Sequence, residues 1–375
     1  MLTYISLFSC AGVGCYGFKQ QGFECIATNE LIQKRLDIQK ANNKCKYESG
    51  YIQGSISEQS VKDAILQEIA LWKEKEDLKE VDVLVATPPC QGMSVANRQR
   101  KEETPRNSLV IEAITMVKQV RPKFFLFENV IAFPKTPCVD VDGETKLISE
   151  AIHYNLDSDY EIFIENINFL EYGSNSSRPR CLTIGLRKDL TQGSLFFSSY
   201  LQDFLPKRQK PKTFKELVGH LPSQESGVFW DKDLYHYSSK LNDKYLSLIK
   251  GVLEGESAYE HPDLKIRELL GEKKFGDKYR RRSWNKPTVC IHTHMNDPTS
   301  QCTLHPTDDR CLTLRECMIF QTIPEDFKWL NVENPTEEQI KKATLLIYYC
   351  IGESVPTKIF NQIAKNIKEY LICQN

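Results

Sequence analysis

Val81-Asp82-Val83-Leu84-Val85-Ala86-Thr87-Pro88-Pro89-Cys90-Gln91-Gly92-Met93-Ser94 is the stretch that decides the fold. Its opening residues are mostly apolar and β-branched, which predicts a buried strand. Two prolines end it, because proline lacks the N–H that a central ladder needs. Cys90 is thereby placed in a stiff loop beyond the carboxyl end of a strand, the edge at which open α/β sheets bind ligands. A cysteine held there is a candidate nucleophile. An idle thiol in a turn would explain the Pro-Pro-Cys-Gln tetrapeptide alone, and the rest of the chain decides against that reading.

Upstream, Thr3 to Phe8 is a predicted first strand, and Gly12, Gly14 and Gly17 precede a short helix. A small-residue turn between strand and helix lets backbone approach a ligand closely. The second strand, Glu24 to Thr28, runs into Asn29-Glu30. An acid at that point, about 20 residues beyond a Gly-rich turn, is the arrangement that binds ribose hydroxyls. Val61, Ile65, Ile69 and Trp72 recur at helical spacing, which puts Trp72 in the core.

Downstream, a helix from Leu109 to Gln119 leads to the strand Phe124 to Val130, with Glu128 at its carboxyl end. Glu128 follows four apolar residues, so it should be partly desolvated and suited to donate a proton. A thiol and a carboxylic acid are thus expected to face one cleft. Further strands are predicted over Ile162–Leu170 and Cys181–Leu186. Arg178 and Arg180, two apart on an extended segment, should point the same way, at a phosphate or a carbonyl oxygen.

Composition bounds the rest. A chain of 375 residues is long enough for two lobes, and its 41% hydrophobic and 26% charged content is that of a soluble globular protein. No stretch approaches a membrane span, and the amino terminus reads directly as a strand. The 13 cysteines are scattered without a Cys-x-x-Cys pair, as expected of reduced thiols in the cytoplasm. A net charge of −1 gives nucleic-acid binding no global support, so it must rest on local clusters. Those clusters are Arg98, Arg100 and Lys101, Lys207 to Lys212, and Lys278-Tyr279-Arg280-Arg281-Arg282, the densest. From about Leu195 to Pro306 no βαβ rhythm is sustained, which marks a second lobe. Cys290, His292, His294, Cys302 and His305 lack paired Cys-x₂₋₄-Cys spacing, so no metal is expected.

Taken in order, these motifs resemble the DNA (cytosine-5)-methyltransferases of bacterial restriction–modification systems. The resemblance rests on Leu7-Phe8-Ser9-Cys10-Ala11-Gly12, Asn29-Glu30, Pro88 to Gly92, Pro105-Arg106-Asn107, Glu128-Asn129-Val130 and Arg178-Pro179-Arg180. It continues through Arg310 to Glu316, Gln321, Pro324 and Gly352 with Ser354-Val355-Pro356. It implies an α/β fold, a Rossmann-like S-adenosylmethionine-dependent methyltransferase domain with a second, smaller target-recognition domain. The expected divisions are a catalytic domain at 1–190, a target-recognition domain at 191–339 and a C-terminal segment, 340–375, returning to the catalytic domain.

The resemblance also implies the chemistry. Cys90 attacks C6 of a flipped-out cytosine in double-stranded DNA while Glu128 protonates N3, and C5 then takes a methyl group from S-adenosylmethionine. Arg180 bonds the cytosine O2, and Arg178 supports the acid or a phosphate. The cofactor lies across Phe8, Ser9, Ala11, Gly12 and Val13, with Glu30 on the ribose, Leu31 and Ile56 against the adenine, Ser354 and Val355 closing the pocket, and Pro88 and Ser55 among its other residues, the contact of Ser55 with the adenine amino group being weaker than the usual aspartate's. Gln91, Ser94, Arg98, Arg106 and Arg280 to Arg282 are expected to contact DNA, with the loop from Gly92 to Asn107 closing over the base. The implied protein is a cytoplasmic monomer, with a cognate restriction endonuclease acting separately as a further partner. Cys10 and Val13 replace common glycines, Ser55 a usual aspartate, Ser176 a glutamine and Glu353 an asparagine. An RNA (tRNA) cytosine-5 methyltransferase and a non-catalytic DNA-binding relative are the alternatives. The long second lobe and the presence of both Cys90 and Glu128 argue against them. A nicotinamide-dependent oxidoreductase would account for the first loop and Glu30, but not for the cysteine loop or the two arginines.

Overall fold

The computed structural model describes residues 1–89, 108–191, 201–272 and 276–373. It divides into two compact units, one of 1–168, 179–207 and 359–375, the other of 169–178 and 208–358.

The first unit is built on nine strands, seven of them in one sheet. They are β1 (Leu2–Leu7), β2 (Phe23–Glu30), β3 (Tyr51–Gln53), β4 (Val83–Ala86), β5 (Phe124–Asn129), β6 (Pro137–Val139), β7 (Thr145–Leu147), β8 (Tyr160–Asn168) and β9 (Pro179–Arg187). The sheet order is β3-β2-β1-β4-β5-β9-β8, and β6 pairs with β7 in a separate hairpin. Strands β1 to β5 are parallel, and β9 runs antiparallel between β5 and β8. The apolar runs explain this. All of β4 and β5 is buried, as parallel strands covered on both faces must be.

The helices α1 (Tyr16–Gln20), α2 (Gln33–Ala41), α3 (Gln59–Lys75), α4 (Leu109–Val120) and α5 (Ile148–Leu156) connect these strands. Trp72 is fully buried, as its spacing predicts, and donates to Glu68 across one helical turn. From Ile359 onward the terminal helix belongs to this unit, with Phe360 edge-on to Phe18 and Tyr370 edge-on to Phe124. Register sets the site. Leu7 pairs with Ala86 and Ala86 with Phe127, so β1, β4 and β5 end level with one another.

The second unit lacks a large sheet and holds its irregular chain by buried polar groups. Arg310 and Glu316 form a bidentate pair with both Nη···Oε distances 2.9 Å. Glu316 also caps the helix Leu314–Phe320 by accepting from Thr313 N. Burial works to raise the Glu316 pKa, but Arg310 outweighs it and holds the carboxyl at about 2. His305, buried beside them, is pushed down to about 4 by burial.

Three expected assignments move, with 169–178 falling in the second unit and 191–207 in the first. Residues 340–358 cluster with the second unit and only 359–375 with the first. The cause is the helix Glu337–Glu353, whose Tyr348 donates its hydroxyl to Leu312 O at 2.7 Å.

Candidate active site

The site assembles from the level ends of β1, β4 and β5. Thr87, first residue beyond β4, donates its hydroxyl to Phe8 O at 2.9 Å. Asn129, last residue of β5, donates its amide to Pro88 O at 2.9 Å, and its own oxygen accepts from Val130 N. The proline turn is therefore fastened on both sides, to the loop after β1 and to the strand that carries Glu128. Cys90 itself lies outside the described residues, as do Gln91, Ser94, Arg98, Arg106 and the whole loop from Gly92 to Asn107.

Glu128 is buried, and its Oε1 lies 3.0 Å from Arg180 Nε. Arg180 reaches it because β9 runs antiparallel beside β5, with Glu128 opposite Leu182 and Asn129 opposite Cys181. The neighbouring Cys181 thiol is pushed up to about 12 by burial, so it stays protonated and is no nucleophile.

Arg178 is held by main-chain carbonyls. It belongs to the second unit, where Nη1 donates to Ile291 O (3.3 Å) and Gly352 O (2.9 Å) and Nη2 to Glu353 O (3.0 Å). Strand alternation gave the two arginines a common direction, but the regular strand begins only at Pro179.

The loop after β1 turns on left-handed backbone at Phe8 (φ 55°), Cys10 (φ 46°) and Gly12 (φ 78°). A Cβ at Gly12 would approach Gln39 Cγ to 3.1 Å. Cys10 stands where its backbone favours glycine, since a left-handed non-glycine residue costs about 1–2 kcal/mol. Glu30 helps to hold that strain. Its Oε2 accepts from Cys10 N at 2.8 Å and its Oε1 from Ile32 N at 3.1 Å. Beneath the loop, Gln39 donates to Ser9 Oγ (2.8 Å) and Cys10 O (2.6 Å), and accepts from Thr28 Oγ1 at 2.7 Å. The buried Lys44 donates to the same Thr28 hydroxyl at 2.9 Å. No motif or spacing in the sequence singles out Gln39 or Lys44, so this network emerges only in the fold. Asn129 was legible only as part of a motif.

The remaining expected cofactor residues fall in several places. Ala11 and Val13 are buried in the loop, Leu31 is 64% exposed beside Glu30, and Ile56 is buried in the core of the first unit. Ser55 is half-buried at the end of the β3 turn. Ser354 and Val355 are buried in the second unit, where Ser354 Oγ caps its helix through Ile351 O at 2.7 Å.

The arginine cluster requires a correction. Arg281 donates to Ile249 O, His305 O and Asp308 O and pairs with Asp309, while Arg282 donates to Cys302 O, Val289 O and Cys290 O. Both are buried. Arg280 spends its guanidinium on Gly276 O, Gly255 O and Glu260. These side chains satisfy carbonyls that irregular chain leaves without partners. Arg282→Ala is therefore expected to destabilise the protein by about 2 kcal/mol or more, read as a lowered urea midpoint. An unchanged midpoint would show that those carbonyls find water at no cost. No group of three or more His, Cys, Asp or Glu side chains able to hold a metal occurs among the described residues.

A parallel sheet with one antiparallel strand near its edge, a glycine turn followed by an acid, and a buried carboxylate at a neighbouring strand end define a Rossmann-like methyltransferase. The model of C-5 cytosine-specific DNA methylases matches residues 2–369, and the chain belongs to that family. It is 30% identical over 378 residues to the Type II methyltransferase M1.HgaI of Avibacterium volantium, covering 97% of each chain. Identity to the Type II methyltransferase M1.HphI of Haemophilus parahaemolyticus is 28%, over 94% of this chain and 86% of that one. Among solved structures, a putative DNA modification methyltransferase from an E. coli prophage matches 99% of this chain and 100% of its own, with TM-score 0.69 at 19% identity. The S. pombe Dnmt2 methyltransferase matches 99% and 100%, with TM-score 0.59 at 14% identity. The chain is thus a DNA (cytosine-5)-methyltransferase.

Proposed function

We propose that Cys90 and Glu128 carry out the methylation of a cytosine flipped out of double-stranded DNA, with S-adenosylmethionine as the methyl donor. One observation carries the proposal. The buried Glu128–Arg180 pair lies at the end of a strand fastened through Asn129 to Pro88, two residues before Cys90. A base inside a duplex cannot be reached by such a site, so it must leave the stack.

The residues present fit the methyl donor. Glu30 accepts two backbone N–H bonds yet keeps acceptor capacity for ribose hydroxyls, Gly12 gives a close backbone approach, and Leu31 offers an exposed apolar surface. When bound, S-adenosylmethionine supplies an electrophilic methyl group on a sulfonium centre. The Cys90 thiolate adds to C6 of the cytosine, and Glu128 gives its proton to N3, so that C5 becomes nucleophilic. Arg180 holds Glu128 in place and presents donors to the base O2. Once C5 carries the methyl group, the C5 proton passes to water, the electron pair it leaves forms the C5–C6 double bond and expels Cys90 as thiolate, and N3 returns its proton to Glu128.

The relatives' Type II names support a role in protecting host DNA, and the same proposal includes a restriction endonuclease acting separately and a methyltransferase working as a cytoplasmic monomer. No described helix is long and apolar enough to cross a membrane.

The test is methylation of a plasmid of diverse sequence, read by conversion sequencing for 5-methylcytosine. Modification confined to one short motif is expected. No modification of DNA, with transfer to RNA instead, would overturn the proposal. Glu30→Gln should weaken S-adenosylmethionine binding about tenfold by calorimetry, the worth of one charge-assisted hydrogen bond. Unaltered affinity would remove Glu30 from the pocket.

A further inference from the structure

The second unit contains a stretch of irregular chain whose carbonyls are held one after another. Thr288 O accepts from Ser177 N at 2.8 Å. Val289 O and Cys290 O accept from the two Nη atoms of Arg282 at 2.9 and 3.2 Å. Ile291 O accepts from Arg178 Nη1. Four successive acceptors are thus satisfied by one backbone amide and two buried guanidinium groups, not by a sheet. A Cβ at Gly352 would come within 2.3 Å of the His292 and Thr293 backbone, so the chain passes in direct contact there.

Beyond this root the chain makes a closed excursion. His292 Nδ1 accepts from His294 N at 3.2 Å, and its Nε2 donates to Gln301 O at 2.9 Å. The two bonds fix one neutral tautomer, in keeping with a His292 pKa lowered by burial. At the far end Arg282 Nε donates to Cys302 O at 2.8 Å. Residues 292–301 are therefore clasped at both ends by Arg282, at Cys290 on entry and Cys302 on exit.

The side chains on this excursion have the opposite character. His294 and Gln301 are exposed, and neither side chain has a hydrogen-bond partner among the described residues. The only acid between Thr288 and Pro306 is Asp297, whose Oδ1 accepts from Thr299 N and Thr299 Oγ1 at 2.8 Å each. A rigid root, two exposed side chains with hydrogen-bonding capacity to spare (His294 edge-on to Tyr349), and a single carboxylate engaged by Thr299 suit a surface that enters the phosphate-lined major groove. Fixing the backbone in advance removes an ordering cost from binding.

We propose that residues 292–301 form the base-reading element of the target-recognition lobe, with His294 and Gln301 as side chains that contact base edges in the major groove. This rests on the DNA-methylating reading above. Glutamine presents one donor and one acceptor in a plane and matches adenine N6 and N7, and a neutral imidazole donates to purine N7 or O6.

The experiment is competitive binding and conversion sequencing with the full-length chain. Duplexes carrying its own methylated motif compete with duplexes altered at one base pair at a time. His294→Ala and Gln301→Ala, both exposed sites, should each lose discrimination at one position, by roughly 5- to 150-fold. The motif read by sequencing should become degenerate at that same position. If both variants keep the wild-type motif and discrimination at every base pair, the assignment is overturned while the methyltransferase reading stands. If the wild-type chain methylates no motif and binds all duplexes alike, both fall together.

Discussion

Glu128→Gln is expected to slow methyl transfer by about 10²–10⁴-fold, and Cys90→Ser to abolish it, while both variants still bind duplex DNA. The glutamine is isosteric and keeps contact with Arg180, but its amide cannot deliver a carboxylic acid's proton to N3. The expected loss therefore falls on the chemical step and not on folding. Single-turnover kinetics separate the two, because a folding defect would lower the active fraction without changing the rate constant. For Cys90→Ser, trapping of a protein–DNA adduct with a C5-fluorinated cytosine should vanish together with turnover. Adduct formation by the serine variant would dismiss Cys90 as the nucleophile. Wild-type rates from the glutamine variant would mean that N3 is protonated by another group.

The second large effect concerns stability. Glu316→Gln leaves the fully buried Arg310 with Asp308 at 2.9 Å as its remaining carboxylate, and weakens the helix cap on Thr313. Breaking a buried ion pair in this way costs about 3–5 kcal/mol. Urea unfolding of the variant should show it, and a loss below about 1 kcal/mol would mean that the pair acts as an exposed one. The same cluster sets a pH dependence. The folded pKa of His305 is depressed to about 4, so its contribution is complete above its ordinary value near 6.5 and is lost as pH falls toward 4. Glu316 is depressed to about 2, so its contribution is present above about 4.5 and is lost toward pH 2. Stability of the wild-type chain should therefore begin to fall below pH 6.5 and continue falling through the acid range. The His305→Gln variant should lose the upper part of that slope.

The sheet was largely legible because Val83–Ala86 and Phe124–Phe127 are apolar runs bounded by turn signals, and Glu30 and Glu128 stand at their strand ends. The short strand β3 and the β6–β7 hairpin carry no comparable pattern. Arginines were the hardest residues to read. Arg280-Arg281-Arg282 looks in sequence like a surface charge run, yet its carbonyl partners come from as far away as Ile249 and Asp308. Which carbonyls an irregular lobe leaves without partners is a property of the folded chain, and no spacing rule announces it. The carbonyls that hold Arg178 were illegible for the same reason, whereas Arg180 lies on the regular strand β9.

The arginine clasp at the root of residues 292–301 has a consequence for how specificity can change. Every amino acid offers the same carbonyl, so a root held through backbone oxygens places almost no demand on the residues of the loop it carries. Gly352, Arg178 and Arg282 make their demands from outside the loop, and within it the bridging His292 ring and the fully buried Met295 make two more. The arrangement is a socket, and what is plugged into it can be exchanged. A loop transplanted between Cys290 and Cys302 from a relative of different target should seat in the same place, provided those five residues stay. New recognition sequences then become accessible through a short replacement, with the methyl-transfer machinery left untouched.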